Sequence, residues 1–140
     1  MATLFTKIVN GELPAYKLAE TDDHLAFLDI RPMVEGHALC IIKREVDYIF
    51  DLSDEELAGL HLFAKRVAGA LKEVIPCKRI AVGVLGLEVP HTHIHLVPVN
   101  QESDFRFGKH IEVSESRMLE IVKEVRSSYE QRGEAGLLPK

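Results

Sequence analysis

The sequence predicts an α+β domain: an antiparallel sheet carrying helices on one face. Three observations lead there. Short strand-like segments follow one another across turns, and parallel pairing would need connections of a dozen or more residues. Between Leu57 and Val74, apolar residues recur three and four apart, the stripe of one long helix packed on a core. The run His91-Thr92-His93-Ile94-His95-Leu96-Val97 alternates with a period of two, the signature of a strand.

In chain order, Tyr16 to Glu20 and His24 to Asp29 read as two short strands around a turn at Thr21-Asp22-Asp23. His37 to Ile42 is an apolar strand. Ser53-Asp54-Glu55-Glu56 is a capping box: the serine accepts an amide of the first turn while Glu56 reaches back. The helix it opens carries Leu57, Leu60, Ala64, Val67, Leu71 and Val74 on one face, and Pro76 bounds it. Arg79 to Leu85 and His91 to Val97 are strands close enough to pair as a hairpin across Gly86, with Pro90 and Pro98 as strand-end punctuation. Asn100 to His110 reads as a polar loop. A second helix is predicted from about Ser114 to Tyr129, with Met118, Val122, Val125 and Tyr129 in register, and Gly133 and Gly136 loosening the tail.

Residues 1–140 are expected to form one domain, long enough to bury a single core. A formal charge of −5 argues against non-specific nucleic-acid binding, which needs a basic surface. A small anionic ligand needs only a local positive or dipolar pocket, so nucleotides remain open. No charged-then-apolar leader follows Met1 and no apolar run approaches membrane-spanning length. Cys40 and Cys77 stand alone, without a C-x-x-C, which fits a reducing compartment. The expectation is a cytoplasmic chain with no membrane partner.

Three of the seven histidines fall within residues 91–95. On a strand, His91, His93 and His95 share one face, while Ile94 and Leu96 point to the core. Glu88 alternates to the face opposite the histidines. Such clustering is hard to reconcile with a merely solvated face. It suits either a metal site or a set of nucleophile and proton-transfer groups, since imidazole titrates nearest neutrality. For the metal reading, no second His/Cys cluster is present.

At these residues the chain resembles the histidine triad (HIT) family of nucleotide hydrolases and transferases. His-x-His-x-His followed by two apolar residues is that family's signature. Leu4 to Pro14 is similar to its amino-terminal stretch, Ala26 to Pro32 to its second block and Gly36 to Leu39 to its third, in the same order. The resemblance covers residues 4 to 100. It implies a five-stranded antiparallel meander with a long central helix, and a homodimer joined through that helix and a sheet edge. It implies that His93 is the nucleophile, forming a nucleotidyl-histidine intermediate. His91 and His95 would bind or protonate the phosphate and leaving group, and His37 would orient the set. Asp29 would accept from the ribose hydroxyls. Phe5, Ile8, Leu13, Phe27 and Ile30 map to the base-and-ribose wall, although ordinary core is nearly as good a reading for Ile8 and Leu13.

Some positions depart from the commoner family pattern. Gly86-Leu87 stands where many members carry Gly-Gln, and Val82 to Leu85 holds no counterpart of an upstream asparagine. Backbone amides of Leu87, Glu88 and Val89 are the expected substitute donors to phosphate. Ile42 and Glu45 stand where a proline and a histidine often follow the third block. The cysteine pair of zinc-carrying members is absent, so no structural zinc and no cofactor are expected. The resemblance points to hydrolysis of a purine nucleoside phosphoramidate or similar adduct to the nucleoside monophosphate. The alternatives are a dinucleoside polyphosphate hydrolase, with Gln101 to Arg106 near the extra phosphates, a nucleotide-binding scaffold and a histidine-liganded metal protein.

Overall fold

The structure, a computed structural model, describes residues 2–134. Gly136 lies outside the described residues. Strands β1 (Lys17–Glu20), β2 (His24–Leu28), β3 (Ala38–Ile42), β4 (Arg79–Gly83) and β5 (His93–Val99) form one antiparallel sheet in the order β1-β2-β3-β5-β4. The strands follow a meander only through β3. The chain then crosses the sheet through a long helix, lays β4 at the far edge, and returns with β5 between β3 and β4. The predicted β4–β5 hairpin is present, but its second strand is central, and this places the histidines in the middle of the sheet.

The sheet has two unlike faces. Ala26 and Leu28 of β2, Ala38, Cys40 and Ile42 of β3, and Ile94 and Leu96 of β5 face helices α2 (Asp54–Val74) and α3 (Glu115–Glu134) in the main core. Leu60, Phe63, Val67 and Leu71 of α2 and Ile121 and Val125 of α3 complete that core, each at most 1% exposed. Full burial of side chains of this size contributes about 1.5–3 kcal/mol each. The capping box forms as expected: Ser53 Oγ accepts from the Glu56 amide and Glu56 accepts from the Ser53 amide, both at 3.1 Å. Arg44 then grips the same carboxylate with two bonds of 2.8 Å. α3 continues through Gly133 to Glu134, five residues beyond the predicted end at Tyr129, held by Arg132 on Glu73 of α2.

The opposite face carries Leu25, Phe27, Leu39 and Ile41, covered by Phe5 and Ile8 of a short helix, α1 (Leu4–Val9). This helix is absent from the sequence expectation because six residues hold too little periodicity to register. Its start was nonetheless written in Thr3, whose Oγ1 caps the Thr6 amide at 3.1 Å. His93 and His95 project from β5 onto this second face, opposite Ile41 and Leu39 in register. Pro98 lies within β5, paired with Ile80, and does not end the strand as its punctuation suggested. No helix among the described residues is long and apolar enough to cross a membrane.

Gly36 sets the entry to β3 and to His37. Its φ of +87° lies in the left-handed region, and a Cβ there would meet Ile75 Cγ1 at 2.8 Å and Pro98 Cγ at 3.1 Å. Both conformation and space therefore demand glycine. Gly36→Ala is expected to lower stability by about 1–3 kcal/mol, the range for strain at such sites. The check is the urea midpoint at unchanged m-value; a midpoint equal to wild type would show that the turn relaxes freely.

Candidate active site

An open cleft of about 560 Å3 lies on the second face. Its apolar end is built by α1 and the sheet: Phe5, Ile8 and Phe27 are buried, and Leu13 packs beside them. Phe5 sets its ring edge-on to Phe27 at 5.4 Å and to His93 at 5.1 Å. Ile30 and Leu87 also line the cleft yet stand 74% and 81% exposed. Apolar side chains so bare at a cleft wall are free to cover an aromatic ligand. Ile8 and Phe27 belong to the buried cluster and also line the cleft.

All of the sequence-predicted site residues except His91 line this cleft. Glu88 is among them, which corrects its placement on the far face. Residues 87–90 form a bend, not a strand, so side-chain alternation does not extend back to them. β5 itself begins at His93, and His91 precedes it in the loop. The three imidazoles therefore do not form one row.

Proton positions follow from the hydrogen-bond partners. His93 Nδ1 lies 2.7 Å from the His91 carbonyl oxygen, which only accepts, so Nδ1 carries the proton and Nε2 keeps its lone pair. His37 Nδ1 accepts from the Met33 amide at 3.0 Å, so its proton sits on Nε2. That proton is donated to His95 Nδ1 at 2.9 Å. His95 must then carry its own proton on Nε2. The result is a pair of imidazoles of opposite character on one strand: His93 with a bare Nε2, His95 with a donor Nε2–H. The His91 ring, fully buried, donates from Nε2 to the Ile42 carbonyl at 2.7 Å and accepts from the Thr3 hydroxyl at 2.9 Å. With both nitrogens engaged within the protein, it acts on the site through its backbone oxygen, which holds His93.

Burial holds these rings neutral. Desolvation pulls His37 down to about 4 and His95 down to about 3, and each is lowered further by His93 nearby. His93 is also lowered, chiefly by burial, against the opposing pull of the His91 carbonyl, Asp29 and Glu88. Asp29 is raised, again chiefly by burial, with the Arg31 amide opposing. Its Oδ1 accepts from that amide at 2.8 Å, while Oδ2 stands 3.7 Å from His37 Nε2. One oxygen thus fixes the turn and the other faces the cleft chemistry.

Asp29, His37 and His95 also place ligand-type atoms within 4.8 Å of one another. His37 Nε2 stands 2.9 Å from His95 Nδ1 and 3.7 Å from Asp29 Oδ2, so an ion held by these atoms would have to displace the shared proton.

Comparison with known proteins identifies the family and the fold. Residues 10–102 match the HIT domain. The chain belongs to the HIT family. It is 40% identical over 102 residues to the adenosine 5'-monophosphoramidase of Saccharomyces cerevisiae, covering 72% of this chain and 65% of the yeast protein. It is 39% identical over 103 residues to the Schizosaccharomyces pombe protein of the same name, covering 73% and 77%. Among solved structures, a zinc-bound histidine triad family protein of Mycobacterium smegmatis superposes with a TM-score of 0.82 at 27% identity, covering 96% of this chain and 98% of the other.

Within this HIT chain the sequence reading missed one wall. Phe107, Gly108, Lys109 and His110 line the cleft, joined by Arg31. Phe107 stands edge-on to His95 at 5.0 Å, and Phe105 closes over Gly83, where a Cβ would meet its ring at 2.6 Å. The Ile111 amide ties the end of the loop to the Pro32 carbonyl at 2.8 Å. The alternation of Phe105 and Phe107 was the available signal. Residues 101–106, the segment expected near extra phosphates, do not line the cleft; 107–110 do.

The buried imidazoles make stability depend on pH. The unfolded chain titrates at the ordinary 6.5, while folded His37 stays neutral down to about 4 and His95 down to about 3. Between those values the unfolded state binds more protons, so stability is full above 6.5 and is lost as pH falls. The denaturant midpoint is expected to drop already between 6.5 and about 5, above the range where model carboxylates titrate. A midpoint constant across that window would mean these rings are not held neutral.

Proposed function

We propose that this HIT protein hydrolyses purine nucleoside phosphoramidates, or closely related phosphate-linked adducts, to the nucleoside monophosphate. The observation that carries the reading is the tautomer of His93, whose Nδ1–H on the His91 carbonyl leaves Nε2 as a nucleophile lining the cleft. The names of the yeast relatives support the same class of nucleotide hydrolase.

In this reading the base lies against Phe5, Ile8, Leu13, Phe27 and Ile30, and the ribose hydroxyls donate to Asp29. His93 Nε2 attacks phosphorus and the P–N bond breaks. The amine departs with a proton taken up from solvent, while the His95 Nε2–H stabilises the charge on the phosphate or leaving group. Water then attacks the nucleotidyl-histidine, restoring His93 and releasing one proton. The amides of Leu87, Glu88 and Val89, which donate to no protein acceptor among the described residues, supply donors where the side-chain amides of other family members are missing. No cofactor enters these steps. The His91 role is revised: its carbonyl orients the nucleophile, and its ring does not touch phosphate.

The same reading makes the protein a homodimer through α2 and the β4 edge. Leu62 on α2 and Val82 on β4 stand 49% and 58% exposed. One observation favours the dinucleoside polyphosphate alternative. Arg31 and Lys109 bring two cations to the cleft wall, although Glu88 opposes them.

His93→Ala is expected to abolish phosphoramidate turnover while nucleoside monophosphate binding stays measurable by calorimetry, because the walls remain. Turnover by wild type should persist in excess chelator. Wild-type rates in His93→Ala would remove the nucleophile assignment, and activity lost with extracted metal would favour the metal reading.

Asp29→Ala should weaken ribonucleotide binding roughly tenfold or more, since a charge-assisted bond contributes about 1.5–3 kcal/mol and 1.4 kcal/mol is tenfold. A nucleotide lacking both ribose hydroxyls should lose much less. The ligand-by-mutation cycle cancels damage to the fold; equal losses would assign Asp29 to its Arg31 turn alone.

A further inference from the structure

The deep side of the catalytic set is tied to a part of the chain that the reaction does not use. Glu45, just after β3, accepts from the Thr3 amide at 2.8 Å and from the Thr6 hydroxyl at 2.7 Å. Thr3 Oγ1 accepts from the Thr6 amide at 3.1 Å, capping α1. Its one hydroxyl proton has two acceptors in reach, His91 Nδ1 at 2.9 Å and Thr6 Oγ1 at 3.2 Å; the nearer, Nδ1, can only accept, because Nε2 donates to the Ile42 carbonyl. The His91 carbonyl then receives the His93 Nδ1–H at 2.7 Å. The bonds therefore run without a gap from an exposed carboxylate, through a helix cap, to the atom that sets the nucleophile's tautomer.

We infer that Thr3 and Glu45 are positioning residues for His93, acting through His91. The inference rests on the hydrolase reading given above. The physical argument is satisfaction of buried groups. The His91 ring has no exposure, so removing the Thr3 hydroxyl leaves a buried acceptor with only the Thr6 hydroxyl, 3.4 Å away and already donating to Glu45 at 2.7 Å. The ring then turns or shifts, and the carbonyl on the same residue moves with it. His93 loses the acceptor that keeps its proton on Nδ1, and the fraction with a bare Nε2 falls. Glu45 acts one bond further out, holding Thr3 against rotation.

The same residues cap the helix that bears Phe5, so the test must separate orientation of His93 from loss of the nucleoside wall. Thr3→Ser keeps cap and donor. Thr3→Gly keeps a serviceable cap, since glycine at this position costs only a few tenths of a kcal/mol, but has no donor. Thr3→Val loses both, and Glu45→Ala removes only the outer anchor. For Thr3→Gly and Thr3→Val we expect kcat on a phosphoramidate to fall about tenfold, the equivalent of ~1.4 kcal/mol. Thr3→Ser should stay within about twofold and Glu45→Ala should fall between, while the Kd of nucleoside monophosphate changes little. Nitrogen-15 spectra of the imidazoles give a second readout independent of turnover. Wild type should show His93 protonated at Nδ1 alone, and Thr3→Gly should show a mixture of tautomers.

Unchanged kcat in Thr3→Gly, a kcat loss matched by an equal loss of affinity, or a His93 tautomer identical to wild type would overturn the inference. If wild type turns over no phosphoramidate but the tautomer still responds to Thr3, the hydrolase reading fails while the positioning network stands. Should Thr3→Val not fold, Thr3→Gly and the surface variant Glu45→Ala carry the test.

Discussion

The bond from His93 Nδ1–H to the His91 carbonyl is the constraint on which the site depends. A free imidazole exchanges its proton between two nitrogens, and only one of the two forms presents a lone pair at Nε2. A carbonyl oxygen at 2.7 Å removes the choice, because it accepts and never donates. The requirement reaches into the backbone. The carbonyl two residues back meets the ring where the chain passes from the bend at residues 87–91 into β5.

The second imidazole pair follows the same logic with the opposite result. Met33, in the connection between β2 and β3, fixes the proton of His37 on Nε2, and this forces His95 to carry its proton toward its other side. One sheet face thus holds a bare nitrogen and a donor side by side on two neutral rings. Burial keeps both neutral: the low dielectric that holds His37 near 4 and His95 near 3 also strengthens each hydrogen bond. The helices make this rigid from behind. Ile94 and Leu96, the side chains alternating with His93 and His95, are packed against α2 at 0% and 1% exposure, so the strand cannot rotate its histidines away.

Much of this was legible in the amino-acid order. The capping box at Ser53 and Glu56, the α2 stripe, the β4–β5 hairpin and the antiparallel class all rest on contacts within a few residues, and local periodicity reports such contacts directly. The motif blocks name Phe5, Asp29, His37, His93 and His95, and the fold lines one cleft with them. α1 escaped because six residues hold too few turns for a stripe, and Pro98 misled because a proline is tolerated inside a strand where its missing amide is not needed. Glu88 was assigned to the wrong face because alternation was carried past the end of the strand that justifies it.

The sequence by itself determined which side chains alternate on β5, where the long helix begins, and which residue types gather around the triad. It determined these because each depends on neighbours a few positions away. Only the tertiary structure decided where every proton sits. The acceptors and donors that fix the tautomers are partners such as Met33 for His37, His37 for His95, and Ile42 and Thr3 for His91, with separations of up to 88 residues. It also decided that Phe107 and Lys109 close the cleft, since nothing local in a polar loop says which surface it will fold over. Spacing places the imidazoles, but a ring's chemistry is set by what its second nitrogen touches, and that is a property of the folded chain.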